Sequence, residues 1–305
     1  MDHNQTLPSV LYKYRADSEW TEGILLKKSV WLSKAANLND PLECRTGAIQ
    51  NAWKQETIRE LEEGQILGVV AAPPNFMPPE TLFSLTPRDT RRWVKTFLAM
   101  SHSERMKAMR KLYSAHGIDL SRPDKLMDNL SRQLAEVGIF SMSTNPVSQL
   151  MWSHYGGIHS GIALGFAVTA ECKFADPLHL IKVTYQDQKP VFDKGFMNQV
   201  DIGYDSKGRQ WSRQKFSLED PVLRAAFSTK PVDWSYESEW RYIEEEEGEF
   251  SWPAPLAEVV FGLRMPVERR RKYTDMARRA AGEGVKFFEI AISQDGSSFE
   301  RLQLN

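Results

Sequence analysis

Trp234-Ser235-Tyr236-Glu237-Ser238-Glu239-Trp240-Arg241-Tyr242 sets charged residues against aromatic and small ones in strict alternation. Successive side chains of a β-strand point to opposite faces, so Glu237, Glu239 and Arg241 project from one side while Tyr236, Trp240 and Tyr242 bury the other. Two carboxylates then share a face with a cation. Such an arrangement keeps one acid ionised beside another and aims it at a ligand that develops positive charge. A half-exposed strand whose charges pair with their neighbours writes the same pattern. The stretch predicts a strand over residues 236–241 with an acidic face.

Outward from this strand the chain changes texture twice. Towards the N-terminus, residues 139–143, 161–166 and 180–185 are short apolar or alternating runs that read as strands. Before them, residues 41–134 have mainly helical periodicity, broken by the Pro-rich piece at 72–79 and by Pro87. The first 33 residues return to strands at 10–15 and 29–33 around a helix near 19–27, and Asn37-Leu38-Asn39-Asp40-Pro41 forms an ordered loop. Beyond the acidic strand, an apolar strand at 259–262, a basic helix at 267–279 and a strand at 285–292 make a terminal strand-helix-strand unit. Residues 201–210, with Gly203, Ser206 and Gly208, read as a loop lying over the site. The fold class is α+β: one domain over 1–305, its central mixed or antiparallel split sheet drawn from both ends of the chain, with a helical insertion at about 45–134.

The 305 residues carry 39 basic and 40 acidic side chains, for a net charge of -1, so no global field recruits nucleic acid or an anionic membrane. No apolar run approaches the ~20 residues that span a bilayer, and the N-terminal residues lack the features of a signal peptide, which places the chain in the cytoplasm. Cys44 and Cys172 have no disulfide or zinc spacing, and His102, His116 and His179 form no ligand set, so no metal is expected. There is no P-loop, no GxGxxG after a strand, no GxSxG and no HExxH.

Three polar groups recur on or beside short strands: Tyr14-Arg15, Ser141-Met142-Ser143-Thr144-Asn145, and Glu237-Ser238-Glu239. Their order resembles that of the arginine-serine-glutamate class of ADP-ribosyltransferases, with Asn145 where that class has the last Ser of its Ser-Thr-Ser motif. The resemblance implies NAD as substrate, consumed by a transferase or glycohydrolase that modifies a macromolecular acceptor, protein or nucleic acid, as a toxin or antiviral defence effector. It also implies roles. Glu239 would stabilise the oxocarbenium-like ribose, Glu237 would orient or deprotonate the acceptor, Ser143 would hold Glu239, and Arg15 would pair with the phosphates. Tyr14 and Thr144 would flank the cofactor, whereas a strand-end ion pair at Arg15 and a turn cap at Ser143 are the structural alternatives.

Leu11-Tyr12-Lys13-Tyr14-Arg15, Leu38-Asn39-Asp40-Pro41-Leu42, Leu150-Met151-Trp152-Ser153-His154-Tyr155 and residues 234–241 together resemble a bacterial family catalogued as domain of unknown function 2971. In the third of these stretches, Trp152, His154 and Tyr155 form an aromatic wall with an imidazole, able to stack on nicotinamide or simply to pack as core. Two other functions fit the same residues. In a nuclease-like effector, Glu237, Glu239, Asp40 and His154 would gather round a divalent cation while Arg264, Arg269, Arg270, Arg271, Lys272, Arg278 and Arg279 grip phosphates. In a non-enzymatic sensor, the polar faces would be salt bridges and the Trp-rich surfaces would dock a partner.

Overall fold

The computed structural model describes residues 6–40, 43–44, 55, 59, 85–115, 134–188, 198–204, 210–216, 218–219 and 221–304. The chain divides into two compact units, one of residues 1–45, 135–189 and 224–305, the other of 46–134 and 190–223. The expected Pro-rich break at 72–79 and His116 lie outside the described residues.

β1 (Val10–Arg15) and β2 (Ser29–Lys34) flank α1 (Glu19–Lys27), as their alternation and the intervening helical run predict. The Oγ of Ser18 caps α1 by accepting from the Thr21 N–H, and Lys28, at φ 52°, ends it in the left-handed region. In the second unit, α2 (Pro87–Leu98) starts on a Thr86 cap with Pro87 in its first turn, and α3 (His102–Ala115) follows. Phe97, fully buried, stacks on Trp93 and accepts through its carbonyl from Arg105. Back in the first unit come β3 (Gly138–Ser143), α4 (Gln149–His154) and β4 (Ile162–Ala167), then β5 (Leu180–Lys182) and β6 (Thr184–Tyr185).

Two expectations need correction at this point. Residues 201–210 are not a loop throughout: β7 (Asn198–Tyr204) and β8 (Gln210–Phe216) pair from Asn198↔Phe216 to Tyr204↔Gln210. Gly203 drew the reading towards a turn, but it belongs to the hairpin, where the alternation of Val200 and Ile202 with polar neighbours was the stronger signal. After α5 (Pro221–Ser228) and β9 (Thr229–Lys230), residues 232–237 form a 3-10 helix rather than a strand. Pro231 fixes its entry, and Ser238, left-handed at φ 46°, donates its N–H to the Ser235 carbonyl and resets the chain. Only then does β10 (Glu239–Glu244) begin. Glu237 and Glu239 therefore belong to different elements.

β11 (Gly248–Ser251), β12 (Leu256–Phe261), α6 (Val267–Ala281), β13 (Lys286–Ile292) and β14 (Phe299–Leu304) complete the chain. β12 and β13 run parallel across α6, as the strand-helix-strand reading requires. β14, which the polar run Glu300-Arg301 had concealed, is an edge strand beside β13.

The main sheet is mixed and ten-stranded, in the order β11-β2-β3-β1-β4-β12-β13-β14, with β10 on β3 and β5 on β10. Its decisive feature is β3. One edge pairs with β10 along its whole length, from Ser143↔Glu239 to Gly138↔Glu244. The other edge pairs with β2 only at Ile139 and Gly138, and with β1 only at Ser143. Between those contacts β1 and β2 part, and residues 140–142 have no strand partner on that side. The α+β class and the split sheet are thus as the sequence indicated.

Each face of the sheet carries its own core. Leu11, Phe140, Leu164, Phe166, Trp240 and Tyr242 pack under α1 and α6, while Tyr12, Tyr14, Ala163 and Val260 pack under α4. Residues directly opposite in a ladder share a face, so Tyr12, Ser143 and Glu239 point one way. Lys13 and Arg15, at odd steps from Tyr12, point the other. Gly161 lets the next turn lie close to this strand end, since a Cβ there would stand 2.2 Å from the Arg15 carbonyl oxygen.

Candidate functional site

The parting of β1 and β2 opens a cleft of about 770 Å3. Lys13 and Arg15 line its β1 side, Trp31 its β2 side, Trp20 comes from α1, and Phe140 and Ser141 come from β3. Trp20 is 82% exposed and Trp31 58%, so both indoles have free faces. Among the described residues no carboxylate forms an ion pair with Arg15 or Lys13. The nearest carboxylates in the lining are Glu19 and Glu249, and Glu249 is engaged by Lys27 at 3.1 Å and by the Ser29 hydroxyl at 2.6 Å. Burial pulls the Arg15 guanidinium below its ordinary value, but a guanidinium remains a cation at any physiological pH.

Lys13 fills the gap that the split leaves. Its Nζ donates at 2.8 Å to the carbonyl of Ser141, on the unpaired stretch of β3, and stands 4.7 Å over the Phe140 ring. Burial, reinforced by the charge of Arg15 and opposed by Glu239 and Glu237, pushes its amine down to about 7.

On the Tyr12 face lies a cluster of buried charges. Lys230 on β9 donates at 2.6 Å to Glu237 and at 3.3 Å to Glu239, and lies 3.7 Å from Glu43. Arg241 grips Glu239 with two donors, at 2.9 and 3.1 Å, and also reaches Glu43, the Phe227 carbonyl and the Cys44 sulfur. The Tyr155 hydroxyl donates at 2.6 Å to Glu237 and accepts from Asn39. Three carboxylates thus face two cations, all at most 5% exposed. Burial works against ionisation of Glu239, but Arg241 and Lys230 outweigh it and hold that carboxyl down at about 2. Burial and the neighbouring charge of Glu239 push Glu237 the other way, above the usual carboxylate range, against Lys230 and Tyr155. Of the two, Glu239 is the fixed anion and Glu237 the group able to take a proton.

Ser141 joins the two regions. Its side chain shares the face of Glu239 and favours the ionised form of that carboxyl, while its carbonyl holds Lys13 at the floor of the cleft.

Several expected site residues lie elsewhere. Ser143 does not hold Glu239: fully buried, its Oγ accepts from the Asn145 N–H at 3.0 Å and closes a local turn, as Ser and Asn favour. Tyr14 is 4% exposed on the face away from Arg15, donating to the Asn145 carbonyl and packing edge-on against Trp152. Trp152 has no exposure and gives its indole N–H to Pro146, so it is core and not a ligand wall. Thr144 donates its N–H to the Ser238 carbonyl, tying β3 to β10. His154 is exposed at 6.0 Å from the Tyr236 ring, beside Tyr155, and faces away from the Lys13–Arg15 side of the sheet. Of the expected site residues, Arg15 lines the cleft, while Glu239 lies on the opposite face of the sheet. Sequence reading missed Lys13 and Ser141, although both stand in the quoted motifs and Lys13 alternates onto the face of Arg15. Nothing local marked Lys230 or Glu43, which reach the cluster only through the fold.

The metal-dependent arrangement does not form from these groups. Glu237 and Glu239 turn their oxygens to protein cations, and no group of three or more metal-ligating side chains stands among the described residues. The basic helix is largely neutralised: Arg269 pairs with Asp17 and Glu22, Lys272 with Glu22, and Arg270 with Glu289. Among the described residues no helix is long and apolar enough to cross a membrane.

Residues 151–242 match the model of a family described as "Protein of unknown function (DUF2971)", in agreement with the resemblance seen in the sequence. The match runs from α4 through β10 and includes Tyr155, Lys230, Glu237, Glu239 and Arg241. No curated protein and no solved structure matches the chain.

Proposed function

We propose that the cleft binds NAD and that the protein cleaves it, releasing nicotinamide and passing the ADP-ribosyl group to water or to a macromolecular acceptor. The observation that carries this reading is Arg15, a cation with no carboxylate partner among the described residues, in a cleft that also presents the free indole faces of Trp20 and Trp31. A guanidinium fork matches a pyrophosphate, and an indole face accepts a purine or nicotinamide ring. The volume falls within the roughly 300–1,000 Å3 of small-molecule sites.

The chemistry asks for negative charge near the ribose and for an outlet for one proton. When the bond between ribose carbon and nicotinamide nitrogen breaks, its electron pair leaves with neutral nicotinamide, and positive charge develops on the ribose. Glu239, ionised and fixed by Arg241 and Lys230, stands on the other face of the sheet and does not line the cleft, so its negative charge acts on the ribose as a field through the sheet, as it does on Lys13, and not by contact. Water or the acceptor then bonds to that carbon and gives up a proton to solvent; Glu237, raised by burial and by Glu239, is held by Lys230 and Tyr155 outside the cleft lining.

The full chain incubated with NAD should release nicotinamide, unaffected by EDTA, and Arg15→Ala should slow the release roughly ten- to hundredfold at sub-saturating NAD. Absence of both binding and release at millimolar NAD would end this reading. A binding-only sensor is the second reading, favoured by the complete pairing of Glu237 and Glu239 with protein donors. NAD that binds the cleft and is recovered intact would assign it.

A further inference from the structure

Lys13 is unusual among the lysines of the first unit in lying at a cleft floor with a carbonyl, and no carboxylate, as its hydrogen-bond partner. The groups that face it are few. Arg15 stands two residues along its own strand, Glu239 and Glu237 act on it from β10 and the preceding 3-10 helix, and Ser141 and Phe140 contact it from β3. Across the cleft are Glu19 and Lys27 of α1 and Glu249 of β11, the last two paired with each other.

We infer that Lys13 is a second anion-binding residue of the cleft, and that it takes up a proton when a pyrophosphate-bearing ligand settles between it and Arg15. In the free protein the amine has to be desolvated and lie beside a guanidinium, both of which disfavour its charge. A ligand phosphate cancels the repulsion from Arg15 and supplies a counter-charge at short range, and both changes favour the ammonium. Because burial holds the free amine down at about 7, the uncharged form is well populated at the alkaline edge of neutrality. Proton uptake and anion binding are then linked, and affinity must weaken as pH rises above that point. The structural alternative is a lysine that merely plugs the unpaired Ser141 carbonyl, whose charge would be indifferent to a ligand. The identification of the ligand as a nucleotide rests on the function proposed above; the proton uptake does not.

The test is calorimetric titration of the full chain with ADP-ribose, whose pyrophosphate diester has no proton titrating near neutrality. Runs at pH 6 and pH 8 in buffers of different ionisation enthalpy measure the protons exchanged. At pH 8 uptake should approach one proton per ligand, and at pH 6 it should be close to none. Between pH 7.5 and 8.5 affinity should fall about tenfold, the slope that uptake of one proton dictates. Lys13→Arg should bind with neither uptake nor slope, and Lys13→Met should bind about tenfold more weakly, also without uptake; melting curves check that both variants fold. Inorganic pyrophosphate, compared between wild type and Lys13→Arg, separates the two layers of the argument. Binding of ADP-ribose without uptake, or with uptake that survives in Lys13→Arg, overturns the inference and leaves the nucleotide reading standing. Pyrophosphate binding with uptake specific to Lys13, and no binding of ADP-ribose, sustains the inference and ends the nucleotide reading. If neither ligand binds, both fall.

Discussion

The cleft and the buried cluster lie on opposite faces of one sheet, with Ser141 between them, and they treat charge in opposite ways. In the cluster every ionised group has a protein partner: Glu239 is held by Arg241 and Lys230, Glu43 by Arg241, and Glu237 by Lys230 and Tyr155. In the cleft, Arg15 and Lys13 have no carboxylate partner among the described residues, though Glu19 and Glu249 are within the same lining. Charges paired in the dry interior contribute to the folded state only as a set, because removing one member leaves the others desolvated and uncompensated. Cations left unpaired at a cleft add little to folding and keep their donors for a ligand. The difference divides the acidic motif from the arginine: one chiefly holds geometry, the other waits for an anion.

The largest expected effect comes from breaking the cluster. Arg241→Ala removes the clamp on Glu239 and the contact with Glu43, and should destabilise the protein by about 3–5 kcal/mol, the range for orphaning one side of a buried pair. Chemical denaturation at pH 7 measures it. A loss below about 1 kcal/mol, the size of an exposed ion pair, would mean that the cluster is open to water and would erase the contrast.

Acid titrates the same contrast without mutation. Glu239 is depressed to about 2 in the fold from an ordinary 4.5, so its contribution is fully present above pH 4.5 and is lost as pH falls towards 2. Its size is about 3 kcal/mol at roughly 1.4 kcal/mol per pH unit of depression. Glu237, raised in the fold, has the opposite sign: it opposes folding at neutral pH, and that penalty is relieved as pH falls through its raised value. Denaturation midpoints taken from pH 7 down to pH 2.5 should therefore hold level or rise slightly before dropping below pH 4.5. A steady decline starting near pH 6 would contradict the division of roles between the two carboxylates.

How far the sequence reveals all this follows the range of the interactions. β1, α1, β2, β3 and the parallel β12–α6–β13 unit were legible because alternation and helical periodicity are local signals. The 3-10 helix at residues 232–237 was not, since a left-handed Ser238 interrupts an alternation that reads as unbroken strand. Arg15 was found because it ends a short strand of distinctive composition. Its placement on the face opposite Glu239 depends on the registers Tyr12↔Ser143 and Ser143↔Glu239, which no single stretch encodes. The cluster depends on contacts longer still. Glu43 and Arg241 are 198 residues apart, and only the folded sheet brings them together. Ser143 was preferred to Ser141 by analogy of motif, whereas the turn at Asn145 takes its hydroxyl and Ser141 is the serine that favours the ionised form of Glu239.

The smallest effect on stability should come from the cleft, and for that reason it is the sharpest discriminator. Among the described residues Arg15 has no ion pair or hydrogen bond to lose, so Arg15→Ala should change stability by no more than about 0.5 kcal/mol, the usual range for substitutions away from packed or paired features. Relief of the repulsion between Arg15 and Lys13 works in the stabilising direction and offsets the lost contacts of the side-chain stem. The same variant should weaken ADP-ribose binding by about 1.5–3 kcal/mol, roughly ten- to hundredfold, because a charge-assisted hydrogen bond to phosphate is lost. Melting temperature and titration on one preparation give both quantities. A large drop in stability with unchanged affinity would place Arg15 with the paired charges, and the cleft would lose the feature that sets it apart from the cluster.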